Sequence, residues 1–297
     1  MALKFGSIGQ EVKELQRALG IEADGVFGPI TEAAVRAFQQ ENGLEVDGIA
    51  GPQTMAAIHA RVATTDRSER VYSPYEGLVV NKYFLPRDEY KAGPTPKEYL
   101  FLHHTAGWHN PYRTVDIWAQ DDRGQIATEF VLGGRSIKGN DDHYDGVLVQ
   151  CIPEGGYGWH LGLGRDGSFH MHTHSVGVEL CNFGYAVNGR SYINVPIEPE
   201  QLVSTSQPFR GYTQWHGYSD KQLETLKLFI LWIAERDSID VRAGLVSEIR
   251  QKGGQAFEFN EDAYHGRIKG MWSHTNVHRG KSDLSPQPNL MDMLLSL

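Results

Sequence analysis

Near the N-terminus apolar residues recur at helical spacing. Val12, Leu15 and Leu19 mark one stripe, with Gln16 beside it. Then comes Asp24-Gly25-Val26-Phe27-Gly28-Pro29, followed by Thr31, Ala33, Ala34 and Val35. Twenty-three positions on, the pattern returns as Asp47-Gly48-Ile49-Ala50-Gly51-Pro52, followed by Thr54, Ala56, Ala57 and Ile58. In each copy Asp-Gly sets a tight turn, with positive φ available at the glycine. The Gly-Pro step then opens a helix, because proline suits the first turn and the following threonine hydroxyl sits near free amides. A small all-α domain of about three helices is therefore expected over residues 1–62. Residues 63–75 are polar and rich in Ser and Thr, and read as a linker.

From residue 76 the pattern alternates between strand-like and helix-like stretches. Glu98–Leu102 is a short apolar run suited to a buried strand, and Thr128–Leu132 and Gly146–Ile152 are similar. Val176, Val178 and Leu180 alternate along Ser175–Leu180. His170, His172 and His174 alternate on another strand-like stretch. Thr114–Gln120 reads as a short helix. Ser219-Asp220-Lys221-Gln222 is a capping box opening a helix to about Arg236, with Leu223, Leu226, Phe229, Ile230 and Ile233 on its buried face. Gln287–Leu297 reads as a short terminal helix. The expected fold of residues 76–297 is a mixed α/β domain with a central sheet flanked by helices.

Composition narrows the function classes. A net charge of −9 argues against a nucleic-acid partner. No run approaches the length of a membrane span, so no membrane insertion is expected. The opening MALKFGSIGQEVKELQ lacks an apolar h-region, so synthesis in the cytoplasm without a signal peptide is expected. Cys151 and Cys181 read as buried thiols rather than a disulfide scaffold, and a monomer is expected. Asp141, Asp142 and Asp145 read as a solvated acidic turn. The 13 histidines cluster, which raises the case for a metal site.

Three segments carry candidate chemistry. Leu100-Phe101-Leu102-His103-His104-Thr105 is a strand ending in two histidines. Gly177-Val178-Glu179-Leu180 holds one carboxylate among apolar neighbours. His274-Thr275-Asn276-Val277-His278-Arg279-Gly280-Lys281-Ser282-Asp283 sets histidines, a lysine and an aspartate in close succession. Two imidazoles and a carboxylate suit a catalytic metal that keeps one position open for water. A glutamate can move the water's proton, and an ammonium can stabilise an oxyanion. Adjacent strand residues point to opposite faces, so one of His103 and His104 serves a metal, not both. His274 and His278 compete in the same way, and His59, His109, His143, His216 and His265 read as ordinary polar residues.

The segments GSIGQEVKELQRALG, ADGVFGPITEAAVRAFQQENGL and VDGIAGPQTMAAI resemble the peptidoglycan-binding domain of cell-wall hydrolases. The resemblance implies bacterial peptidoglycan as partner. The three candidate segments resemble the type-2 N-acetylmuramoyl-L-alanine amidase family, which includes the peptidoglycan recognition proteins. That likeness implies a Zn2+ cofactor held by His103, His274 and Asp283, with Glu179 as general acid and base and Lys281 stabilising the oxyanion. Gly158-Trp159-His160-Leu161-Gly162 matches the family's cleft segment, which implies that Trp159 and His160, with His104, contact substrate. The implied reaction is hydrolysis of the amide between N-acetylmuramic acid and L-alanine. The architecture resembles a bacteriophage endolysin. A non-catalytic binder of the same fold and a zinc peptidase are the alternatives. Glu129 competes with Glu179, because Thr128-Glu129-Phe130 lacks the family's usual tyrosine. Residues 184–218 form an insertion that the family pattern leaves unexplained.

Overall fold

A computed structural model describes residues 2–21, 23–64, 71–121, 123–162 and 169–297, with backbone alone at 59–64. The side chain of His59 and linker positions 65–70 lie outside the described residues. The chain divides into two compact units, Met1–Arg70 and Val71–Leu297. Among the described residues, no helix is long and apolar enough to cross a membrane.

In the first unit the repeat becomes geometry. Helices α1 (Gln10–Ala18), α2 (Pro29–Glu41) and α3 (Pro52–Thr64) pack around Val12, Leu15, Phe27, Val35, Phe38 and Ile58. Two buried glutamines hold the turns. Gln16 Nε2 donates to Asp24 Oδ1 (2.7 Å), the Val26 carbonyl (3.0 Å) and Thr31 Oγ1 (2.9 Å), and its Oε1 accepts from Gly25 N (2.8 Å). Gln39 repeats this with Asp47 (2.7 Å), the Ile49 carbonyl (3.0 Å), Thr54 (3.0 Å) and Gly48 N (2.9 Å). The repeated Asp-Gly and Thr are therefore the partners of one glutamine per copy. Gln39→Ala strands a buried amide and a hydroxyl, and is expected to destabilise this unit by about 1–3 kcal/mol. Urea unfolding followed on the helical signal checks this, and an unchanged midpoint would contradict it.

The second unit is built on a seven-stranded sheet. Its strands are β1 (Val71–Tyr75), β2 (Leu78–Lys82), β3 (Tyr99–His104), β4 (Phe130–Leu132), β5 (Leu148–Gln150), β6 (Ser175–Leu180) and β11 (Gly270–Ser273), in the order β1-β2-β5-β4-β6-β3-β11. The strands β4, β6, β3 and β11 run parallel. β3 is buried along its whole length, as a central parallel strand covered on both faces must be. A second sheet takes β7 (Tyr185–Val187), β8 (Arg190–Ser191), β9 (Leu202–Phe209) and β10 (Tyr212–His216) in the order β8-β7-β10-β9. The helices are α4 (Pro111–Trp118), α5 (Phe169–Thr173), α6 (Asp220–Asp237), α7 (Leu245–Lys252), α8 (Glu261–Tyr264), α9 (His274–Val277) and α10 (Pro288–Leu295). Ser219 caps α6 by accepting from Gln222 N at 3.0 Å. The expected α6 stripe, Leu223, Leu226, Phe229, Ile230 and Ile233, is buried.

Several local expectations are corrected. The stretch expected as linker already contains β1, whose residues pair with β2 in a hairpin. The helix expected from Thr114 begins at Pro111, because Asn110 Oδ1 accepts from Tyr112 N and Arg113 N and proline needs no partner there. The strand-like histidines lie on and just past α5, with the rings of His170 and His174 stacked 3.9 Å apart at helical spacing. Asp141 and Asp145 are buried rather than solvated, against His109 and the α6-capping Ser219. Cys151 and Cys181 are buried thiols that do not pair.

Candidate active site

Three parallel strands deliver the chemistry at their carboxyl ends, where open α/β sheets hold ligands. His103 and His104 close β3, Glu179 is next to last on β6, and His274 follows β11 directly. In register, His103 stands beside Glu179. Past β11 the chain turns back on itself: Lys281 N donates to the His278 carbonyl, and Thr275 N to the Asp283 carbonyl at 3.1 Å. That closure returns Asp283 to His274. Asn276 locks the turn from below by donating to the Ala256 and Glu258 carbonyls, each at 2.8 Å.

His103, His274 and Asp283 converge, all buried, with one potential ligand atom from each lying within 4.8 Å of the others. His274 Nδ1 is 2.8 Å from Asp283 Oδ2, and His103 Nδ1 is 3.5 Å from it. The two Nδ1 atoms are 3.0 Å apart. Their tautomers follow from the outer partners. His274 Nε2 donates to the Leu161 carbonyl at 3.1 Å, which leaves Nδ1 bare in the neutral ring. His103 Nε2 meets His160 Nδ1 at 3.0 Å, and His160 Nε2 meets Ser175 Oγ at 2.8 Å. With Ser175 Oγ donating onward to the His172 carbonyl at 3.5 Å, donation along this chain would leave His103 Nδ1 bare too. Two bare nitrogens and a carboxylate oxygen facing one another repel unless a cation stands among them, so these residues fit a divalent metal.

The electrostatics agree. Burial, then the charge of His274, holds His103 down at about 4, against the pull of Asp283. It is therefore a neutral imidazole at working pH. Burial would raise Asp283, but positive charge set against it from the side of His274 and His103 keeps it well below the usual carboxylate range. Glu179 moves the other way: burial, then the charge of Asp283, pushes it up to about 8, with Lys281 opposing. Its Oε2 is buried without a hydrogen-bond partner. A native buried oxygen left unpaired marks a place where something else binds.

A cleft of 330 Å³ joins these groups, lined by His104, His160, Glu179, His274, Lys281 and Asp283 among others. Its far wall carries Trp118, Arg123, Ile126 and Thr128. The predicted residues Glu179, Lys281, His103, His274 and Asp283 are thus brought to one place. His160 lines the cleft and also holds His103. His104 lines it too, with its Nδ1 3.1 Å from Tyr218 Oη. Trp159 does not line it. Its ring packs edge-on against Tyr157 and His172, at 5.8 and 5.0 Å. His278 stands by, its ring 5.8 Å from that of His274. Tyr218 escaped the sequence reading. The one signal was its place just ahead of the capping Ser219.

Glu129 is placed elsewhere. It is buried in an ion pair with Arg236 (3.0 Å) and accepts from Gln150 Nε2 (3.3 Å). Arg236→Ala leaves that charge buried and unpaired, and is expected to destabilise the protein by about 3–5 kcal/mol. Denaturant unfolding checks this, and a loss below about 1 kcal/mol would mean the pair behaves as a surface bridge.

Residues 93–283 match the family of N-acetylmuramoyl-L-alanine amidases. The chain belongs to that family. Residues 8–58 match a putative peptidoglycan-binding domain, so the amidase-family unit follows a unit of the wall-binding type. No curated protein matches the chain. Among solved structures, a fused Zn-dependent amidase/peptidase/peptidoglycan-binding domain-containing protein from Clostridium acetobutylicum is 41% identical over 20% of this chain, with a TM-score of 0.19. The match spans only 28% of that protein's own length. PlyL is 12% identical, with 68% of this chain and 84% of PlyL covered and a TM-score of 0.37. The amidase AmiD from E. coli is 17% identical, with 59% and 55% covered and a TM-score of 0.31.

Proposed function

We propose that this amidase-family chain hydrolyses the amide between N-acetylmuramic acid and L-alanine in peptidoglycan, with zinc held by His103, His274 and Asp283. The observation that carries this reading is the convergence of two imidazoles and a carboxylate with the unpaired oxygen of Glu179, around one cleft of an amidase-family unit. When bound, zinc supplies Lewis acidity that makes water a nucleophile near neutral pH. Glu179 takes the proton of the attacking water and returns it to the leaving amine of L-alanine. Burial, which raises this carboxyl above the usual carboxylate range, favours its taking up a proton. Lys281, exposed on the cleft rim, stabilises negative charge growing on the carbonyl oxygen. His160 and the Leu161 carbonyl fix the ring orientations of His103 and His274. The N-terminal unit keeps the enzyme on its polymer, which raises the local substrate concentration. This pairing of units suits a wall-lytic enzyme of endolysin type.

The test is mass spectrometry of products from purified peptidoglycan, with and without a zinc chelator. Stem peptides beginning with L-alanine should appear, and should vanish on chelation. An intact sugar–peptide bond on a wall that still binds the protein would mark a binder. Cuts within the stem would mark a peptidase.

A further inference from the structure

The insertion at 184–218 forms the second sheet, and it is tied to both rims of the cleft. Tyr192 Oη donates to the Ala106 carbonyl at 2.7 Å, and Ala106 lines the cleft beside His104. At the β9–β10 turn the Arg210 guanidinium donates to the Arg279 carbonyl (3.2 Å) and the Thr275 carbonyl (3.3 Å), in the segment carrying His274 and Lys281. Between the anchors Tyr185 and Tyr212 stack with ring centroids 3.8 Å apart and planes 12° apart. Tyr192 lies 6.3 Å from Tyr185. The pairing of β10 with β9 shifts register between Tyr212 and Gln214. On the other side of β10, Gln214 pairs with Ala186 and Trp215 with Tyr185, and the Tyr212 ring comes to lie on that of Tyr185.

The three rings, with Asn188, Arg190 and Asn194, bound a concavity of 480 Å³. That size lies in the range of about 300–1,000 Å³ typical of small-molecule sites. Tyr192 is 51% exposed. Flat aromatic faces beside amide and guanidinium groups match a pyranose ring, which offers a C–H face for stacking and hydroxyl and acetamido groups for hydrogen bonds. The scissile amide joins a peptide to a sugar strand, so the strand must leave the cleft across a rim, and this sheet spans both rim segments. We propose that Tyr185, Tyr192 and Tyr212 form a platform for the amino-sugar strand of the substrate polymer. The inference rests on the reading that the cleft takes peptidoglycan.

The test titrates the full-length protein with N,N′,N″-triacetylchitotriose, following saturation transfer to the sugar protons. Tyr212→Leu should weaken binding by about tenfold, while Tyr212→Phe, which keeps the ring, should bind like wild type. Tyr192→Leu, at an exposed ring that leaves the stacked pair alone, should also weaken binding. Equal affinity in all four proteins would place the sugar elsewhere and overturn the platform, as would equal losses in Tyr212→Phe and Tyr212→Leu. Loss of affinity for free stem peptide in place of the trisaccharide would overturn it as well. The titration needs no turnover. A protein that binds the sugar through Tyr212 but frees no L-alanine peptide keeps the platform and loses the amidase reading, and the converse result does the reverse.

Discussion

Glu179→Gln is expected to slow amide hydrolysis by ~10²–10⁴-fold, the usual worth of a positioned acid–base group. The amide keeps the size of the carboxyl and its hydrogen-bonding capacity but cannot carry a proton between water and amine. The loss should fall on kcat, with zinc content and wall binding unchanged, because Glu179 lies outside the ligand set. The same change has a signature in stability. The folded pKa of about 8 lies above the ordinary glutamate value of 4.5. A raised acid contributes stability that is fully present below the unfolded pKa and is lost as pH rises toward the folded one. The metal-free wild type should therefore lose melting temperature between about pH 4.5 and about pH 8, and Glu179→Gln should flatten that slope. A residual rate within about tenfold of wild type would remove Glu179 from the reaction. Glu129→Gln is the matched control, since its partner is Arg236 and it does not line the cleft.

Asp283→Ala should abolish both metal retention and hydrolysis. Changing an outer partner of a metal ligand typically costs about 10–100-fold, and removing a ligand itself should exceed that. Asp283 is also the one anionic member of the proposed ligand set, so without it a bound metal would face two neutral imidazoles and no anion. Elemental analysis after dialysis should find wild type near one zinc per chain and the variant well below it. Thermal melting supplies the second readout. A metal that binds only the folded state stabilises it by mass action. Chelator should therefore lower the wild-type melting temperature and leave the Asp283→Ala curve where it was. If the variant keeps its zinc and its rate, the ligand set is wrong, and His104 and His278 return as candidates.

Short-range signals made much of this protein legible. The Asp-Gly turns and Gly-Pro helix starts at 24–29 and 47–52 act within a few residues, and so does the Ser219 cap. The apolar stripe of α6 needs only helical periodicity. Glu179 and the histidines ending β3 stood out because charged and polar groups are unusual on buried strands.

What the tertiary structure decided are pairings between distant positions. Glu129 and Glu179 both read as carboxylates on apolar strands. Arg236, on α6, claims the first and leaves an oxygen of the second unpaired. His160 reads as a cleft residue from its motif, but its contact with His103 comes from loop paths that sequence spacing does not encode. Tyr218 reaches His104 from a distant part of the chain, and Gln16 and Gln39 each find their partners in a turn that lies eight or more residues on. Helix α5 is too short to show a period, and in the sheet at 185–216 the pairing of β9 with β10 shifts register partway, which strand periodicity does not foretell. Local periodicity thus determined which segments became helices or strands, while strand register and loop closure chose which side chains would meet.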